Sequence, residues 1–228
     1  MYGKDIIRVE AYDAFSLDTY TDIAVPQGHT DHLPLTLWSG ARANATRAEM
    51  ACTLSHIKAV RTAYEAGETG VLIMEDDIHP TYREQWEHSL EKIVRLKPAD
   101  AQCVTLFCIN PAVTMSLWKA RQWFVPLRND YWGAGCYYIN REGMARVLNT
   151  YIRDDRVCLP HYPSYIVADQ GALYPLMNTY HYTRPLFINE CADSYIHPDH
   201  LPRHRQNHLL IKQYFETLRV HSTCGACE

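Results

Sequence analysis

Glu75, Asp76 and Asp77 stand side by side directly after the apolar run Gly70–Met74 (GVLIM), and Pro80 closes the stretch. Three adjacent carboxylates repel one another, so the run calls for a compensating positive charge. A hard divalent cation with oxygen ligands is the natural candidate. On an extended backbone side chains alternate, so Glu75 and Asp77 would point one way and Asp76 the other, an acid-x-acid arrangement. Acids here could also serve the N-terminal dipole of a following helix. In open α/β sheets ligands bind beyond the carboxyl ends of the strands, which is where an acidic run after a buried strand would lie.

The elements that must position these acids follow from hydrophobic period. Before them, Thr46 and Glu49 form a capping-box pattern, and Met50, Leu54, Ile57, Val60 and Tyr64 recur at steps of three and four. Gly67 is placed to end that helix in a left-handed turn. GVLIM then reads as a short strand buried on both faces. After the acids, Thr81 with Glu84 predicts a second capped helix with Trp86, Leu90, Ile93 and Val94 inward, stopping by Pro98. Strands are expected over 5–15, 102–109 and 135–140 and in YHYTRPLFI. Helices are expected in REGMARVLNTY, ADQGALYPLM and RQNHLLIKQYFETL. Residues 16–42 read as a long loop, and the loop after Ile109 is rich in Trp and Met. Strands alternating with helices imply an α/β fold, with a mainly parallel sheet flanked by helices on both faces. One domain over residues 1–228 is expected, with 206–228 as closing helix and flexible tail.

Composition narrows the function classes. With a net charge of −4, nothing in the charge balance invites nucleic acid or an anionic membrane. Sixteen tyrosines and five tryptophans supply flat faces with polar edges, suited to sugar rings and nucleobases or simply to packing. No stretch reaches the ~18 apolar residues of a membrane-spanning helix, and MYGKDIIRVE is not a secretory signal. The eight cysteines, irregularly spaced, read as reduced thiols of a cytoplasmic protein. Cys224 and Cys227 near His221 have metal-ligand spacing, but no second pair completes a four-ligand set, and the segment reads as tail. There is no GxGxxG turn and no P-loop. An Asp-x-Asp phosphohydrolase motif read from Asp76 would need an acid where Ile78 stands.

ACTLSHIKAV followed by GVLIMEDDI resembles the signature of glycosyltransferase family 25, in which a Ser-His pair on a helix precedes a strand ending in Glu-Asp-Asp. The matching residues are Ser55, His56, Glu75, Asp76 and Asp77. WGAGCYYINREGMARVL is similar to the family's Gly-rich strand and following helix, and IVADQGAL to a later block, with Asp169 as the matching acid. Where the family usually reads GExGC, this chain reads AEMAC, so Ala48 and Ala51 replace glycines.

The resemblance implies a GT-A-like fold, a nucleotide-sugar donor (a UDP-sugar) and Mn²⁺ or Mg²⁺ bridging the acids to the diphosphate. Asp77 is then the expected direct ligand and Glu75 a second or water-mediated one. Asp76 is assigned to the ribose or donor sugar. Asp169 is the candidate base for an acceptor hydroxyl, or the N-cap of the helix it opens. Tyr12 and Asp13 are placed to meet the nucleoside, and Arg47 to meet the diphosphate or simply be solvated. Ser55 and His56 join the site through the resemblance alone. Trp132 with Gly133 and Gly135 would form a sugar platform or pack. His181 and His197 are possible late metal ligands. The expected activity is sugar transfer to a glycan or glycoprotein, and the rival is a non-catalytic nucleotide- or sugar-binding module.

Overall fold

The structure, a computed structural model, describes residues 6–24, 46–159, 167–190 and 201–224. The chain divides into two compact units. The first takes its residues from Met1–Val71 and Asn140–Leu176, the second from Leu72–Ile139 and Met177–Glu228.

The first unit is organised by α1 (Arg47–Glu65) and α4 (Arg141–Tyr151), which pack together. The expected capping box is present: the Thr46 hydroxyl accepts from the Glu49 amide at 3.1 Å, and the Glu49 carboxylate accepts from the Thr46 amide at 2.8 Å. Met50, Leu54, Ile57 and Val60 are fully buried along one stripe. Gly67 ends α1 at φ +83°, with Glu68 N–H donating to Ala63 O and Gly67 N–H to Tyr64 O, the Schellman pattern. Arg141 then caps the same end, donating to the Tyr64 and Glu68 carbonyls and stacking on the Tyr64 ring at 4.1 Å. The strands β1 (Ile23–Ala24), β7 (Ile152–Arg153) and β8 (Arg156–Cys158) form a small sheet. The β7–β8 turn holds Asp154 and Asp155 at positive φ, the requirement of a tight two-residue hairpin, and the sequence reading missed it.

The second unit carries a five-stranded sheet in the order β2 (Gly70–Met74), β6 (Cys136–Asn140), β4 (Cys103–Thr105), β9 (Thr179–Tyr182), β5 (Phe124–Pro126). It is α/β, a mixed sheet with helices around it, as the alternation of elements implied. Its strand directions are less parallel than expected: β4 runs parallel to β9, but β4–β6 and β5–β9 are antiparallel. The chain from β4 to β6 passes through α3 and β5 and returns beside β4 in the opposite direction. The core is formed by Ile78, Ile93, Val104, Phe107, Cys136, Tyr182 and Phe187.

Several local expectations give way. Residues 6–13 form no strand; Ile6 and Ile7 are exposed, and a 3₁₀ helix follows at Ala14–Thr19. β2 is an edge strand with Leu72 and Met74 exposed, so it is not buried on both faces. Thr81 caps no helix. Ser89 caps α2 (Leu90–Leu96), accepting from the Lys92 amide. The loop after Ile109 holds α3 (Pro111–Leu117), whose Asn110 N-cap and Pro111 at the first position were its sequence signal. YHYTRPLFI breaks into β9 and β10 (Ile188–Asn189) around Pro185, which lacks a ladder donor. The closing helix α5 spans Leu201–Cys224. Among the described residues no helix is long and apolar enough to cross a membrane.

These capping assignments carry a prediction. Thr46→Ala is expected to cost about 1 kcal/mol in urea denaturation, and Thr81→Ala less than about 0.5 kcal/mol.

Candidate active site

The acidic run sits where a strand becomes a turn. Glu75 N–H donates to Gly135 O at 2.9 Å, extending the β2–β6 pairing by one residue. Ile78 N–H then donates to Glu75 O at 3.3 Å, closing a turn with Asp76 and Asp77 at its corners. The backbone is therefore not extended through Asp76–Asp77, and the alternating arrangement expected for Glu75 and Asp77 does not form. The helix-dipole alternative finds no helix either: the chain passes into β3 (Ile78–His79), and α2 starts only at Leu90. β3 pairs antiparallel with β10, and Glu190 N–H donates to Asp77 O at 2.8 Å.

Glu75 and Asp77 are half-buried and Asp76 is exposed. Burial, then the neighbouring Glu75 and Asp76 charges, push the Asp77 carboxyl up to about 6; a backbone hydrogen bond and His79 offset this in part. Among the described residues no Lys or Arg forms an ion pair with Asp76 or Asp77. A half-buried carboxylate repelled by two others is a place where a cation relieves strain, and its hard oxygen donors suit Mn²⁺ or Mg²⁺ rather than zinc.

Gly133 and Gly135 are needed close behind this turn. Gly133 has φ +118°, and a side chain there would meet the Phe107 ring at 3.1 Å. A Cβ on Gly135 would lie 2.7 Å from Ile78 Cδ1. The close approach these glycines permit is therefore to the apolar packing that seats Ile78. Trp132 donates its indole N–H to Asn129 O, and Arg203 lies over the ring at 5.5 Å, so one face of the expected sugar platform is covered. His181 is a core residue: it is buried, its Nδ1 pairs with the Thr105 hydroxyl at 2.6 Å, and burial holds its pKa down at about 3. It does not sit with the acids as a ligand. His197 lies outside the described residues.

In the first unit Tyr12, Asp13, Arg47 and Ser55 come together. Ser55 Oγ accepts from Tyr12 N–H at 2.9 Å and donates to Ala51 O at 2.6 Å. The Tyr12 hydroxyl donates to Asp22, Lys58 Nζ lies 4.7 Å over its ring, and Tyr20 meets it edge-on. Stacking on a nucleobase would have to displace these neighbours. Asp13 caps the 3₁₀ helix, accepting from Phe15 N–H and Ser16 Oγ. Arg47 is held against the same helix, donating to Ala14 O at 3.0 Å and Asp18 Oδ2 at 2.9 Å. These bonds hold it against the protein, so it is not merely solvated. His56 is buried on α1, and the Cys52 thiol one turn earlier comes within 4.8 Å of its ring. The i, i+4 spacing could have flagged Cys52. Asp169 is half-buried in a wide turn, Ala168–Ala172, whose Ala172 N–H reaches back to Val167 O. Val167 occupies the cap position, so Asp169 is not the N-cap.

Sequence reasoning also missed Glu190. It comes one residue after the apolar stretch Leu186–Ile188, where Glu75 comes directly after GVLIM, and that partial parallel was the available signal. Its carboxylate lies 3.2 Å from His79 Nε2.

Fold and acidic turn together define an α/β protein with a carboxylate site at the end of a sheet strand. The chain matches the model of glycosyltransferase family 25, described as an LPS biosynthesis protein, over residues 3–155. That match covers more than half of the sequence, and the chain belongs to glycosyltransferase family 25. It includes Tyr12, Asp13, Arg47, Ser55, His56, the acidic run, Trp132 and Gly133, and excludes Asp169. Comparison with curated proteins and with solved structures gave no match.

The raised Asp77 carboxyl predicts a pH-dependent stability. Its folded value, about 6, lies above the unfolded 3.8, so its favourable contribution is complete below about pH 4 and lost as pH rises through 6. In EDTA, Asp77→Asn is therefore expected to melt higher than wild type at pH 8, with the gap closing by pH 4. Allowing for solvent screening, the gain is roughly 1 kcal/mol, about 2–4 °C. Thermal melts at the two pH values read it directly.

Proposed function

We propose that this family 25 protein is a cytoplasmic, metal-dependent glycosyltransferase that moves a sugar from a UDP-sugar to a glycan or glycoprotein acceptor. The observation that carries the reading is the half-buried acidic turn, in which burial and then the neighbouring Glu75 and Asp76 charges push Asp77 up to about 6. A GT-A-like role for the α/β fold agrees with acids at the end of a sheet strand. Cys52, Cys103, Cys108, Cys136 and Cys158 are free thiols, in keeping with a reducing compartment.

Asp77 and Glu75 would hold Mn²⁺ or Mg²⁺, and Asp76, on the exposed corner, would accept from the ribose or donor-sugar hydroxyls. When bound, the ion supplies positive charge against the diphosphate as it departs from the anomeric carbon. The turn's task is to hold two carboxylates together at one point, where a bound cation would favour their ionised form. Asp169 is proposed as the base that accepts the acceptor hydroxyl's proton, and wide helical turns of this kind recur at functional positions. Tyr12, Asp13, Arg47, Ser55 and His56 are proposed as the nucleoside side of the protein, with Ser55 and Arg47 acting by ordering the Tyr12–Thr19 segment. Trp132 and Gly133 are retained as a sugar-facing loop whose exposed edge, rather than the Arg203-covered face, would meet substrate. His197 is proposed as a further ligand.

Calorimetric titration of UDP with and without Mn²⁺ tests the reading. Wild type is expected to bind at least tenfold tighter with Mn²⁺, and Asp77→Ala to lose that difference. Asp169→Asn should keep the metal-dependent heat and lower the turnover of UDP-sugar by 10²–10⁴-fold. Equal UDP binding in both conditions would refute metal dependence. Metal-dependent binding with no release of free sugar from any UDP-sugar would favour a binding module.

A further inference from the structure

The acidic turn is held from behind by elements beyond the matched family segment. β10 pairs with β3 in the register Ile188↔His79 and Asn189↔Ile78, and Glu190 N–H donates to Asp77 O at 2.8 Å. The Asp77 peptide is thus fixed by the turn on one side and by β10 on the other. β10 in turn rests on α5: Ile188 packs with Ile211 and Phe215. The buried Asn189 side chain meets His204 Nδ1 at 2.6 Å, its amide donating to the unprotonated ring nitrogen. A side-chain hydrogen bond between a strand end and a helix is directional, and so adds an orientation requirement to the apolar packing of Ile188.

We infer that Asn189 and His204 are positioning residues for Asp77: their contact fixes β10, and β10 fixes the peptide that carries the Asp77 carboxylate. The inference rests on the metal-site reading of the acidic turn. Neither residue touches substrate. Both act through Glu190 N–H and the β3–β10 pair.

The test is a double-mutant cycle on the full chain, read by UDP calorimetry with and without Mn²⁺ and by amide hydrogen exchange. Asn189→Ala and His204→Ala are each expected to weaken Mn²⁺-dependent UDP affinity three- to tenfold and to leave the weak metal-free affinity unchanged. The double variant should lose less affinity than the two singles combined, because both singles remove the same shared contact. His204→Gln, which keeps an acceptor for the Asn189 amide, should return to within twofold of wild type. Exchange at the Ile78 and Glu190 amides should rise in the alanine variants. If the wild type shows no Mn²⁺-dependent heat, the reading of the acids falls. If it shows that heat and the alanine variants keep it in full, the positioning role alone is overturned. Should Asn189→Ala not fold, the His204→Ala and His204→Gln pair decides the matter.

Discussion

Like-charge repulsion at the end of β2 is the constraint around which the second unit is arranged. Glu75, Asp76 and Asp77 occupy consecutive positions, two of them half-buried, and burial together with the neighbouring charges raises the Asp77 carboxyl to about 6. A chain free to relax would swing these groups apart into water. This one does not: the Glu75 amide is tied to Gly135, the Ile78 amide closes the turn, and Glu190 takes the Asp77 carbonyl. The glycines at 133 and 135 have their place in the same account. They let Phe107 and Ile78 pack tightly behind the turn, so the acids stand on a rigid floor. Stability spent on holding repelling charges fits the cation-binding role proposed for the turn.

Rigid packing also explains why several polar side chains that look functional in sequence have local duties. Arg47 and Asp13 are engaged with the Ala14–Thr19 helix, and Ser55 relays between Ala51 O and Tyr12 N–H. His181 is neutral in the core because no compensating charge accompanies its burial, and Thr105 satisfies its Nδ1. A residue can order a binding segment without touching the ligand. For Arg47 and Ser55 the hydrogen bonds favour that kind of part.

What could be read from sequence follows the range of the forces involved. α1 was legible in detail because its capping box, apolar stripe and Gly67 terminator are all local signals. The acids' place at a strand end was legible for the same reason. That β2 is an edge strand was not, since an apolar run says nothing about which strands lie beside it, and Leu72 and Met74 are exposed. The turn at Asp76–Asp77 defeated the alternation argument because the chain folds back at once into β3, whose partner β10 lies more than a hundred residues away. Strand direction was misjudged where β6 returns antiparallel beside β4 and β5 beside β9, since the order of elements does not say which strands become neighbours. Asn189 and His204 carry no motif at all; only the folded register brings them to the rear of the acidic turn.

The central claim is that the acidic turn is a divalent-metal site, and anomalous diffraction from crystals grown with Mn²⁺ and UDP addresses it directly. A manganese peak within coordinating distance of the Asp77 carboxylate, lost in Asp77→Asn crystals, is the predicted result. A peak at other residues, or none beside Asp77 with UDP bound, would contradict the account.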